Sequence, residues 1–118
     1  MRLLENQVHY SGTNFGEPLP LQIAQWTLKK YQGRNICETL NRDGAYLKGL
    51  LAEAGFETRG LDSRFEVVFA SDEAKKAAVR YCFNHGILFG GFASMAVSHN
   101  HEQMQKLVDT LKEWRDAH

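Results

Sequence analysis

Residues 56–82, FETRGLDSRFEVVFASDEAKKAAVRYC, change their hydrophobic period partway along, and that change decides the fold. Phe65, Val67 and Phe69 recur at every second position, the period of a strand with one buried face. The spacing predicts strands over Phe56–Arg59 and Arg64–Ala70, with Gly60, Asp62 and Ser63 supplying the turn between them. From Ser71 the period lengthens. Ser71 is suited to cap a helix, and Asp72 and Glu73 put negative charge in its first turn, where the helix dipole favours it. Ala74, Ala77, Ala78, Tyr81 and Cys82 form its apolar stripe, and Gly86 ends it. A hairpin feeding a capped helix implies a mixed α/β fold of the α+β kind.

Upstream, Pro18 and Pro20 suit the first turn of a helix, which Ile23, Ala24, Thr27, Leu28 and Tyr31 continue until Gly33 stops it. Asn35 with Glu38 three residues on resembles a capping box for the next helix. That helix carries Ile36, Leu40, Leu47, Leu51 and Ala54 on one stripe and ends at Gly55. Gly44 falls on the same stripe, costing about 1 kcal/mol relative to Ala, which a close approach of another helix would explain. Downstream, Ile87–Phe89 and Ala96–Ser98 read as short strands separated by Gly90 and Gly91. Asn100 with Gln103 opens a last helix whose face is Met104, Leu107, Val108, Leu111 and Trp114. The one plausible subdivision separates residues 1–34 from 35–118.

Composition narrows the function less than the fold. At 118 residues the chain is one domain of ordinary size, able to bury a core. Lys+Arg equals Asp+Glu at 14 each, so no global field favours nucleic acid or an anionic membrane. No apolar run of about eighteen residues is present, and a cytoplasmic protein is expected. Cys37 and Cys82 sit among apolar neighbours in predicted helices and are expected to be buried, reduced thiols. His85, His99 and His101 lack the partner carboxylate or cysteine of a metal knuckle, so no metal is expected. The Gly-rich segment HGILFGGF, residues 85–92, is neither a dinucleotide fingerprint nor a P-loop.

Ser11, Gly12 and Thr13 combine close backbone approach with hydroxyls and free N–H groups, the elements of a phosphate cradle. Their hydroxyls serve equally well to stabilise a turn. The stretch SGTNFGEPLPLQIAQWTL, residues 11–28, is similar to a segment of class III pyridoxal-phosphate aminotransferases of the glutamate-1-semialdehyde aminomutase type. The resemblance continues in order through NICETLNRDGAYLKGLLAEAG, SDEAKKAAVRYCFNHGILF and AVSHNHEQMQKLVDTLKE, residues 35–55, 71–89 and 96–113. It covers nearly the whole chain but only about the last third of a full-length member.

The resemblance implies a small C-terminal domain of a fold-type-I enzyme, a short sheet with helices on one face, preceded by an interdomain helix. It implies that Ser11, Gly12 and Thr13 contact the phosphate of pyridoxal phosphate in a neighbouring subunit, and that Phe89 and Phe92 shape the mouth of a substrate pocket. Core packing accounts equally for the two phenylalanines. The Schiff-base lysine of the family lies upstream of the matching region. All seven lysines here, Lys29, Lys30, Lys48, Lys75, Lys76, Lys106 and Lys112, fall off the apolar stripes and read as solvated charges. No catalytic residue is therefore assigned, and the isolated chain is expected to be inactive. The expected partners are a lysine-bearing large domain, a second subunit and a small-molecule substrate.

The loop before the last helix is shorter than in the aminomutases and lacks a carboxylate, which leaves transaminase and aminomutase chemistry both open. Leu21, Trp26 and Phe15 would face the missing domain and favour self-association, most simply as a dimer. A free-standing α/β interaction domain without chemistry is the alternative.

Overall fold

The computed structural model of the chain describes residues 16–118. The chain divides into two compact units, Met1–Asn35 and Ile36–His118; the subdivision read from the sequence lies one residue earlier.

In the first unit, helix α1 spans Pro18–Arg34. Proline occupies its first turn, where a missing N–H costs nothing. Gly33 does not stop it. Asn35 does, with its backbone in the left-handed region at φ 50°, ψ 44°. That is the conformation of a C-cap, which asparagine tolerates better than other side chains. It replaces the extended N-cap geometry expected of Asn35 for the following helix. No residue of α1 is buried. Leu19, Ile23 and Trp26 follow one helical line and Leu21, Leu28 and Tyr31 another, so apolar groups face more than one side.

The second unit is a small α+β domain. Its elements run α2 (Ile36–Glu53), β1 (Thr58–Leu61), β2 (Arg64–Val67), α3 (Asp72–Asn84), β3 (Phe92–Ser94) and α4 (His101–Ala117). The sheet is antiparallel in the order β1-β2-β3. Phe65 and Val67 of β2 are buried while the alternating Arg64 and Glu66 are exposed, so one sheet face meets the helices. Leu47 and Leu51 of α2, Ala78 and Cys82 of α3, and Met104, Val108 and Leu111 of α4 complete the core. Each fully buried leucine contributes roughly 1.5–3 kcal/mol through the area it removes from water. Ala77, expected on the α3 stripe, is exposed.

Two glycine stops follow one pattern. After α2 the Phe56 N–H donates to the Leu51 carbonyl (2.8 Å) and Gly55 N–H to the Ala52 carbonyl (2.9 Å), with Gly55 at φ 86°. After α3 the Ile87 N–H donates to Cys82 (2.9 Å) and Gly86 N–H to Phe83 (3.0 Å), with Gly86 at φ 76°. These are Schellman caps, satisfying carbonyls that a helix end leaves orphaned. They also explain two displaced strands. Phe56 and Ile87 spend their N–H groups on the caps, so β1 begins at Thr58 and Ile87–Phe89 forms no strand. The third strand is Phe92–Ser94 instead, with Ala93 opposite Phe65. Ala96–Ser98 is not a strand either. The Ala96 carbonyl accepts from the His99 N–H (3.0 Å) and the Ala96 N–H donates to His99 Nδ1 (3.1 Å), closing a turn.

Gly60 belongs to β1 and not to the turn, pairing with Phe65 at φ 123°. The turn shrinks to Asp62 and Ser63, and its backbone sits on α2. A Cβ placed on the buried Gly44 would land on the Asp62 carbonyl oxygen. The close approach that Gly44 permits is thus to a hairpin turn, not to another helix. At the other starts, Ser71 Oγ accepts from the Ala74 N–H (3.1 Å), and Asn100 with Gln103 forms a full capping box.

Candidate functional site

The Ser11–Gly12–Thr13 cradle lies outside the described residues. The other assigned pair, Phe89 and Phe92, meets in an open groove of about 840 Å³ running between the loop after α3, strand β3 and the first turns of α4. A volume of that size is ordinary for small-molecule sites. The Ile87 bond to Cys82 and the burial of Phe89 anchor the loop, and Phe89 forms the floor at 5% exposure. Phe92 stands at the rim, 55% exposed, because β3 alternates and its core-facing position belongs to Ala93. The floor continues through Leu47, Met95 and Met104, while Ser94, His99 and Lys106 bring polar atoms to the walls.

Because His99 Nδ1 accepts the Ala96 N–H, the neutral ring carries its proton on Nε2. Gln103 also lines the groove, but its Oε1 is spent on the Asn100 N–H (3.1 Å). The arrangement suits an apolar or aromatic body with a few polar substituents. Among the described residues no hydrogen bond joins Ser94 to His99 there.

The other two histidines weighed as metal ligands, His101 and His85, make separate contacts. His101 stacks on Tyr46 with ring centroids 4.0 Å apart and stands 4.0 Å from the Asp43 carboxylate. His85 stacks on Tyr81 at 4.2 Å and its Nδ1 meets the Tyr81 carbonyl (2.8 Å). Among the described residues no three His, Cys, Asp or Glu side chains stand together as a metal ion would require.

Cys82 is fully buried, and burial pushes its thiol above the ordinary value of 9.0. Cys37, expected to be buried as well, is exposed.

Lys48 departs from the solvated state expected of it. Its side chain is only 25% exposed. Nζ donates to the Gly60 carbonyl (3.1 Å) and the Asp62 carboxylate (3.2 Å), pinning the hairpin to α2. An ion pair half open to water contributes less than about 1 kcal/mol, so its value lies in fixing the turn over Gly44. Arg115 of α4 plays a similar part, donating to the Ala54 carbonyl at the end of α2 and lying 5.1 Å from the Phe56 ring centroid. No periodicity marks Lys48 or Arg115 in advance, since both act on backbone carbonyls distant in sequence.

Among the described residues no helix is long and apolar enough to cross a membrane. No family model matches the chain, and no curated protein or solved structure matches it.

Proposed function

We propose that this chain is the C-terminal segment of a class III aminotransferase-like protein, working with a lysine-bearing large domain and a second subunit in the cytoplasm. The observation that supports this reading is the order of elements. From α2 to α4 the unit runs helix, hairpin, helix, strand and last helix, with the helices on one sheet face. The segments resembling the family, residues 35–55, 71–89 and 96–113, hold α2, α3 and most of α4 in that order, while the hairpin and β3 lie between them. Helix α1, apolar on more than one side, suits a piece that lies between domains.

In this reading the chain covers the active site. Phe92 shapes the mouth and Phe89 the floor of a small-molecule pocket, while Ser11, Gly12 and Thr13 hold the cofactor phosphate across the dimer. Pyridoxal phosphate supplies the amino-group chemistry when bound. The described residues do not fit it by themselves, because none of the seven lysines is buried and so none has the desolvated amine a Schiff base needs. The covalent anchor is therefore assigned to the large domain.

Co-expression with that domain tests the reading. The complex is expected to retain pyridoxal phosphate through dialysis, with Thr13→Val loosening it about ten-fold, equivalent to ~1.4 kcal/mol. A stoichiometric, borohydride-reducible adduct on one lysine of the isolated chain would overturn the assignment of the anchor. A cofactor dissociation constant unchanged by Thr13→Val would remove the phosphate role.

A further inference from the structure

Helix α3 has two apolar faces, and only one is used by the core. Ala78 and Cys82 are fully buried. About 100° round the helix, Val79 and Phe83 follow one another at helical spacing with Lys76 beyond them; Val79 is half-buried and Phe83 is 66% exposed. Beside it the chain leaves the helix and presents Leu88 to solvent at 95% exposure. Leu88 is not a loose tip. Its neighbour on one side is bonded to Cys82 and its neighbour on the other is buried Phe89, so the side chain is held outward before anything binds. Preorganisation of this kind removes part of the entropic cost of association.

The outer face of α3 and Gly90 line a shallow, open depression of about 730 Å³. It shares Val79 and Gly90 with the groove that holds Leu88 and Phe92, so the apolar surface is continuous. Its rim is basic. Lys75, Lys76 and Arg80 line it against a single carboxylate, Asp72, and none of the three cations is within ion-pair distance of a carboxylate among the described residues. In a chain whose formal net charge is zero, this is a local feature and not a diffuse field.

We propose that the outer face of α3, together with Leu88 and Phe92, is a docking surface for an acidic amphipathic helix of a partner protein. The chemistry selects among occupants. A second copy meeting this face about a two-fold axis would bring one basic rim against another, and like charges repel. Three cations within two turns, with Asp72 among them, do not make the extended basic stripe that tracks a nucleic-acid backbone. A flat lipid surface leaves the depression unfilled. A helix with Leu or Phe on one face and Asp or Glu beside it fills the apolar floor and pairs the rim cations. The 13 residues of α3 span about 20 Å, so a partner helix of about twelve residues matches the length available. The inference concerns the folded unit and does not depend on any cofactor chemistry.

The test uses the full chain and fluorescently labelled helical peptides of about twelve residues, one Glu-rich with a Leu/Phe face and one with Gln replacing every Glu. The Glu peptide is expected to bind and to weaken as salt rises. Lys76→Glu with Arg80→Glu, and separately Phe83→Ser, are expected to reduce its affinity by about ten-fold or more. All three positions are exposed, and unchanged thermal unfolding confirms that the variants fold. Equal binding of the Gln peptide, or full binding by the charge-reversed variant, would overturn the proposal. So would tighter binding of an oligothymidylate or of phosphatidylglycerol vesicles, which would hand the surface to nucleic acid or lipid.

Discussion

Helices α1 and α4 are each 17 residues long, and α1 carries at least as many large apolar side chains, yet their fates are opposite. Met104, Val108 and Leu111 of α4 fall on one face and enter the core, with Leu107 and Trp114 flanking them. Leu19, Leu21, Ile23, Trp26, Leu28 and Tyr31 of α1 are spread around the axis, and all are exposed. Arrangement, more than content, decides whether a helix can close a core of its own. One apolar stripe is satisfied by one neighbour, whereas a helix apolar on several sides needs several. The 36–118 unit thus carries a core of its own, whereas α1 leaves its large apolar side chains exposed.

Removing a core side chain gives the largest effect on this contrast. Leu111→Ala empties a fully buried site and is expected to cost about 2–5 kcal/mol in urea unfolding of the chain. A cost near zero would mean that the unit is not held by the core described. Next is Gly44→Ala, where the new methyl meets the Asp62 carbonyl and the Met95 side chain. Overpacking of this kind is expected to cost about 1–3 kcal/mol, even though Ala is the better helix former by about 1 kcal/mol. A stabilised Gly44→Ala variant would show that the hairpin turn is not seated on α2. The smallest effect is expected from Leu28→Ala in α1, within about 0.5 kcal/mol in the same assay. A loss of more than about 1 kcal/mol there would break the comparison, since it would place Leu28 in a packed environment within the chain alone.

Helices α2 and α3 were legible because each has both a period and a glycine stop, whereas α1 has no single stripe and runs past Gly33 to Asn35. The Ser71 and Asn100 caps and the Gly55 and Gly86 terminators are chemical signals local to a few residues. The strands were harder to place, for a reason visible in β3. Phe92-Ala93-Ser94 puts its smallest apolar residue toward the core and its phenylalanine outward, so hydrophobicity points the wrong way. Ile87-Leu88-Phe89 looks more like a strand but has lost the Ile87 N–H to a helix cap. The groove was partly legible, through Phe89 and Phe92. The contributions of His99 and Lys106 depend on the turn at Ala96 and on helical phase, which bring together residues far apart in sequence. Lys48 was misread because a lysine off an apolar stripe is ordinarily solvated, and only the folded hairpin offers it two oxygens.

The sheet's two borders constrain how any assembly can form. One outer strand, β3, has three residues; the other, β1, has four and carries Gly60 at φ 123° beside exposed Arg59. Short, charged and locally distorted borders resist the strand-by-strand extension that turns open sheets into fibrils. Such borders favour association through side-chain surfaces on helices and loops over strand pairing. The chain's far-ultraviolet dichroism should keep the same β content from dilute monomer to complex, and a rise in that signal on standing would mark misassembly instead of partnership.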